Sequence, residues 1–142
     1  MTCASIGGGD AAIIAGGLEP LFSAAIAPIV GWDVGDLDGD GRSEIVIATR
    51  YGSIVILNDR GQTIATALPG AEAFDVAILA DKDGRKRILA SLGPKLVLFD
   101  SKLRVLAEKA VSGAPCVKLQ SFMGGGTRKA MCLFGDGTAA LW

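Results

Sequence analysis

The phrase Tyr51-Gly52-Ser53-Ile54-Val55-Ile56-Leu57-Asn58-Asp59-Arg60-Gly61-Gln62-Thr63-Ile64-Ala65 returns about 42 residues later as Leu92-Gly93-Pro94-Lys95-Leu96-Val97-Leu98-Phe99-Asp100-Ser101-Lys102-Leu103-Arg104-Val105-Leu106. Each copy reads as a tight turn, a short apolar strand, a second turn and another strand. Phe134-Gly135-Asp136-Gly137-Thr138-Ala139-Ala140-Leu141-Trp142 takes up the same phrase. Ile6-Gly7-Gly8-Gly9-Asp10-Ala11-Ala12-Ile13-Ile14-Ala15-Gly16-Gly17 is a paler copy that leads into residues 21–27.

The segments ahead of these phrases correspond as well. Gly31-Trp32-Asp33-Val34-Gly35 matches Ala73-Phe74-Asp75-Val76-Ala77, and Asp40-Gly41-Arg42-Ser43-Glu44-Ile45 matches Asp83-Gly84-Arg85-Lys86-Arg87-Ile88. A third copy, Cys116-Val117-Lys118-Leu119-Gln120, keeps the strand and has lost the acids. Each full unit therefore predicts four short strands, A to D, which in the first unit fall at residues 31–36, 44–49, 53–57 and 63–68. Runs such as Ile45-Val46-Ile47-Ala48 and Leu96-Val97-Leu98-Phe99 do not alternate with polar residues, which means burial on both faces.

Antiparallel four-stranded units of this length, covered on both faces by their neighbours, are the blades of a β-propeller. A sandwich of unrelated strands is the competing reading, and the repeated register favours blades. The expected fold class is all-β, an incomplete propeller of about 3.5 blades. A partial blade falls at residues 1–28, full blades at 29–70 and 71–113, and another partial blade at 114–142. Closed propellers need about four blades or more, so the chain is expected to be either a segment of a longer propeller or one that a protein partner or other copies of the chain complete.

The loop between A and B of the first full unit carries the chemistry. Asp36-Leu37-Asp38-Gly39-Asp40-Gly41-Arg42-Ser43-Glu44 sets carboxylates at alternate positions around glycines, an oxygen-rich arrangement suited to a hard cation such as Ca²⁺. An EF-hand needs a bidentate Glu at loop position twelve, and that position is Ile47, inside a strand-like run. The alternative is a solvated acidic turn with no ion. In the second unit Leu79 replaces the first acid and Arg87 stands where Glu44 does, so a guanidinium beside Asp81 and Asp83 is expected to replace a metal.

Asp36-Leu37-Asp38-Gly39-Asp40-Gly41-Arg42-Ser43-Glu44-Ile45-Val46-Ile47 resembles the FG-GAP/VCBS type of propeller repeat. Such repeats occur in integrin α-subunit heads, in bacterial and archaeal surface proteins, and in scaffolds of the ciliary Bardet–Biedl complex. The resemblance is best over residues 31–70. It implies a propeller, Ca²⁺ in the A–B loop, and a binding or adhesion platform in place of a catalyst. Asp36, Asp38 and Asp40 match the acidic ligands, Arg42 the backbone-carbonyl position and Glu44 the closing carboxylate, which is often Asp. The Phe-Gly…Gly-Ala-Pro hallmark of integrin repeats is not legible, so the VCBS-like form is the closer relative.

Composition narrows the function classes. Half of the 142 residues are apolar, a fifth are charged, twenty are Gly and the net charge is −1, so no global field draws nucleic acid or an anionic membrane. The chain has no His, which removes imidazole-based triads and imidazole-ligated zinc. Cys3, Cys116 and Cys132 form no CxxC. Cys116 and Cys132 could pair across neighbouring strands, but buried free thiols are expected. The N-terminus does not read as a secretory signal and no apolar run spans a bilayer, which slightly favours the cytoplasm unless the chain is part of a longer one.

Asp33 and Asp75, at matching points of two inner strands, either face a central channel or, as the preferred reading, cap the turn into each blade. Lys82, Arg85, Lys86 and Arg87 read as a solvated loop, Trp32, Phe74 and Trp142 as inter-blade packing, and Gly7-Gly8-Gly9 and Gly124-Gly125-Gly126 as turns. The expected function is a non-enzymatic interaction scaffold with a structural Ca²⁺ loop. The alternatives are a piece of a carbohydrate-active or quinoprotein-like propeller enzyme, and an extracellular adhesin module.

Overall fold

The computed structural model describes residues 13–14, 17–18, 26, 28–111 and 113–141. Strands β1 (Ile13–Ile14) and β2 (Gly17–Leu18) form a small hairpin. Blade 1 is the antiparallel sheet β3 (Ile29–Gly35), β4 (Glu44–Thr49), β5 (Ile54–Leu57) and β6 (Thr63–Ala67), paired in that order. Blade 2 repeats the order with β7 (Ala73–Ala80), β8 (Lys86–Leu92), β9 (Lys95–Asp100) and β10 (Val105–Ala110). Blade 3 comprises β11 (Cys116–Gly124), β12 (Thr127–Phe134) and β13 (Ala139–Leu141). The remaining strands expected at residues 1–28, and Trp142, lie outside the described residues.

The expected burial of the apolar runs is observed. All six residues of β4 are buried, and its two faces feed two cores. Val46 and Ala48, with Ile54 and Ile56 of β5, meet Val76, Ile78, Ile88, Ala90 and Phe99 of blade 2. Ile45, Ile47 and Leu57 turn the other way and pack with Ile26 and Ile29. Leu89 and Leu96 of blade 2 pack on Leu119, Ala130, Cys116 and Cys132 of blade 3. Each large aliphatic side chain buried in these layers contributes about 1.5–3 kcal/mol. The small residues Ala65, Ala67 and Ala71 let the outer part of blade 1 close onto blade 2.

The glycine-rich turns share one geometry. In Asn58–Gln62, Asp81–Arg85, Asp100–Arg104 and Phe134–Thr138 the first N–H bonds the fifth carbonyl, and the fourth N–H bonds the first carbonyl. The fourth residue is left-handed in all of them, which is the three-residue hairpin with a bulge. It is Gly61, Gly84 and Gly137 in three turns but Leu103 (φ 62°) in the other. Leu103 is buried in the core between blades 1 and 2, and that burial offsets the cost of its backbone conformation.

Four expectations are corrected. Cys116 and Cys132 are joined in a disulfide, with Cα atoms 5.9 Å apart on adjacent strands; they are buried, as expected, but not free. Trp32 is 62% exposed and is not enclosed between sheets among the described residues, although it stands opposite Ile47, on the face that meets Ile26 and Ile29. Blades 2 and 3 pack face to face but are also linked at one point, where Arg128 pairs with Ala80 and joins the ladders of seven strands. Finally, Asp33 and Asp75 are not at matching register. Asp33 stands opposite Val46, which pairs with Ile56, whereas Asp75 stands opposite Ser91, which pairs with Leu96, the counterpart of Ile54. The two are offset by two residues and so keep the same face.

Candidate metal loop and the clasps between blades

The loop from β3 to β4 brings together three of its expected ligands. One carboxylate oxygen from each of Asp36, Asp38 and Asp40 lies within 4.8 Å of the others. The backbone curls around them: Asp36 accepts N–H bonds from Gly39 (2.7 Å) and Gly41 (2.9 Å), Asp38 from Asp40 and Asp40 from Arg42. Gly39 and Gly41 hold φ of 82° and 84°, which allows two reversals within three residues. The Gly41 N–H leads the effects that hold the Asp36 carboxyl below its usual range; burial opposes it, and the Gly39 N–H adds to it.

Glu44 is placed differently. Its side chain is buried, and Oε2 accepts the Leu37 N–H at 2.8 Å, so it closes the loop from within, outside the cluster of three. Burial pushes its carboxyl up, against the Leu37 bond, and the charges of Asp38, Asp40 and Asp36 push the same way. Arg42 contributes its N–H to Asp40, and among the described residues no cation pairs with Asp36, Asp38 or Asp40. The donor set fits a hard cation in kind, all oxygen and uncompensated in charge. Three side-chain ligands fall short of the six to eight oxygens that Ca²⁺ takes, so backbone and water would supply the remainder.

The corresponding loop of blade 2 is an ordinary hairpin turn. Asp81 Oδ1 accepts the N–H groups of Asp83 and Arg85, as Asn58 accepts those of Arg60 and Gln62 and Asp100 those of Lys102 and Arg104. Arg87 comes to 3.9 Å from Asp81 Oδ2. Lys82 and Arg85 are exposed.

Asp33 and Asp75 neither ring a channel nor cap turns. Each binds the next residue's N–H with Oδ1 and reaches across to the inner strand of the following blade with Oδ2. Asp33 takes the Ile78 N–H at 2.8 Å and Asp75 takes the Leu119 N–H at 2.7 Å. Asp33 is also met by Ser121 Oγ and by the Arg128 guanidinium, so one carboxylate ties together all three blades. Asp75, 1% exposed, pairs with Lys118 Nζ at 3.1 Å. An added Cβ at Gly31 would land on the Asp75 carboxylate, which fixes Gly31 as glycine. The clasps were missed because they join residues 44 or 45 apart; the only sequence signal was an acid in each of two inner strands.

A cleft of about 260 Å³ lies between β10 and blade 3, lined by Lys109, Val111, Phe134, Asp136 and Thr138. Asp136 accepts the N–H and the hydroxyl of Thr138.

No family model and no curated protein matches the chain. Among solved structures it is similar to BBS1N in a crystal structure with ARL6DN soaked with mercury, with a TM-score of 0.68 and 11% identity over 89% of this chain and 40% of that one. A lead-soaked crystal of the same complex gives a TM-score of 0.67 and 12% identity over 89% and 38%. The likeness is one of fold: an all-β, propeller-like array of antiparallel sheets, spanning less than half of the chains it matches.

Proposed function

We propose that this chain is a non-enzymatic protein-interaction module of the FG-GAP/VCBS propeller type, whose blade 3 receives a further blade-shaped sheet. The observation that carries this reading is a difference between equivalent positions. Val46, Ala48, Ile54 and Ile56 of blade 1 are fully buried under blade 2. Of their counterparts in blade 2, Leu89, Ser91 and Leu96 are buried and Leu98 is half-buried against blade 3. In blade 3 the same positions fall on Met131 (37% exposed), Leu133 (38%), Ala139 and Leu141 (60%). A face built like a blade interface is thus open, which in a folded protein marks a surface for a partner. The similar BBS1N was crystallised with a protein partner, ARL6DN, which supports an interaction role.

The enzyme alternatives need acids on the inner strands that are free to act. Asp33 and Asp75 are both occupied by the clasps, which favours the scaffold. Asp36, Asp38 and Asp40 would hold Ca²⁺, with the Arg42 carbonyl and Glu44 as the further ligands the family resemblance suggests. The ion would neutralise mutual repulsion and stiffen the turn into β4. Its role there is structural.

Sedimentation equilibrium tests the open face. The chain alone is expected to self-associate in a concentration-dependent way, and Leu133→Glu with Leu141→Glu to return it to monomer. A wild-type chain that stays monomeric at all concentrations would overturn the reading.

A further inference from the structure

We propose that the layer received by blade 3 is an acid-bearing sheet, which docks by a charge-inverted version of the clasps that join blades 1, 2 and 3. The inference rests on the preceding reading of the open face. In blades 1 and 2 a carboxylate on the inner strand reaches forward and accepts an N–H of the next inner strand. The ladder shows what occupies these points in blade 3. Gln120 stands opposite Met131, as Asp33 stands opposite Val46, and Lys118 stands opposite Leu133, two residues earlier, where Asp75 lies in blade 2. Neither carries a carboxylate, and the Gln120 amide donates to Ser121 O.

The surroundings carry the same sign. Lys129 lies opposite Phe122 on the open face, half-buried beside the apolar patch. Over residues 112–142 the sequence contains Lys118, Arg128 and Lys129 but a single acid, Asp136, in the β12–β13 turn; Lys118 and Arg128 are already paired with Asp75 and Asp33, which leaves Lys129 as the charge this face presents. Phe122, Met131, Leu133 and Leu141 therefore form an apolar field with Lys129, on β12 beside Phe122, as its positive charge. A layer that offered only a backbone N–H to β11, as β7 and β11 do to the strands before them, would meet no carboxylate. A layer bearing Asp or Glu opposite Phe122 would meet Lys129, whereas Lys118 on the inner strand already contacts Asp75. Complementary charge at such a margin selects partners and speeds encounter more than it adds affinity.

Two dyes of nearly the same shape separate charge from apolar area. Fluorescence titration of the full chain would use 8-anilinonaphthalene-1-sulfonate, an aromatic anion, and N-phenyl-1-naphthylamine, its uncharged analogue. Lys129→Glu is expected to weaken the anionic dye about fivefold, about 1 kcal/mol at 1.4 kcal/mol per decade, while leaving the neutral dye unchanged. Lys129→Arg should restore the wild-type value, and Leu133→Glu should weaken both dyes. If Lys129→Glu affects both dyes alike or neither, the acid requirement is wrong even though the open face stands. If Leu133→Glu also leaves both unchanged, the open face itself is wrong. The substituted positions are partly exposed on one side of a formed sheet, and an unchanged far-ultraviolet circular dichroism spectrum accompanies each comparison.

Discussion

Replacing Asp75 with alanine should cost about 3 kcal/mol of unfolding free energy, chiefly by stranding backbone donors. The carboxylate is 1% exposed and takes the Leu119 N–H at 2.7 Å and the Val76 N–H at 2.9 Å. Leu119 and Val76 are themselves buried, so water does not readily replace the lost acceptor. Each stranded donor costs about 1–3 kcal/mol. The Lys118 pair adds little, at most about 1 kcal/mol, because that lysine is more than half exposed and its charge is screened. Asp75→Asn retains an oxygen acceptor while losing the charge, and should cost about half as much. Urea unfolding at pH 7, followed by tryptophan fluorescence, measures both. A loss below about 1 kcal/mol for Asp75→Ala, or equal losses for the two variants, would show that the clasp does not hold blade 3 to blade 2.

If the β3–β4 loop binds Ca²⁺, thermal unfolding in EDTA should occur at lower temperature than in millimolar Ca²⁺, and ion at a hundred times its dissociation constant would stabilise by about 2.7 kcal/mol. Identical melting in the two conditions would leave the loop a solvated turn. Glu44→Gln keeps an acceptor for Leu37 while removing a buried charge beside three carboxylates, so without Ca²⁺ it should stabilise the fold. Because burial raises the folded-state pKa of Glu44, the wild type loses stability as pH rises from the ordinary carboxylate range through that raised value. The advantage of Glu44→Gln should be present above this window and vanish below it; an advantage constant with pH would contradict the assignment. Thiol titration of the unfolded, unreduced chain should find one thiol of the three cysteines, since Cys116 and Cys132 are paired; three would refute the disulfide.

Within the described residues, the antiparallel hairpins and most strand positions were legible because a hairpin is a local object. Its strands are neighbours in sequence, and each turn needs a residue tolerant of positive φ at a fixed place, so period, glycines and apolar runs record it directly. The convergence of Asp36, Asp38 and Asp40 was legible for the same reason: three acids within five residues, turned at Gly39 and just beyond at Gly41, cannot scatter far. Glu44 was only half legible. The sequence placed it at the loop's end, but its burial and its bond to the Leu37 N–H depend on β4 lying between two packed layers.

What lies between blades belongs to the tertiary structure. The sequence by itself determined the repeat, the strands and the acid-rich loop, all set by contacts within one blade, and marked the apolar runs that neighbouring sheets cover. Only packing decided that Asp33 and Asp75 are clasps, that a two-residue register offset separates them, that Cys116 and Cys132 are close enough to bond, and that Met131, Leu133 and Leu141 remain open. Alternation says which side of a strand a residue takes, but not whether another sheet lies over that side. A carboxylate's hydrogen-bond partner 44 residues away leaves no periodic trace, because its donor is a backbone N–H that every residue but proline carries.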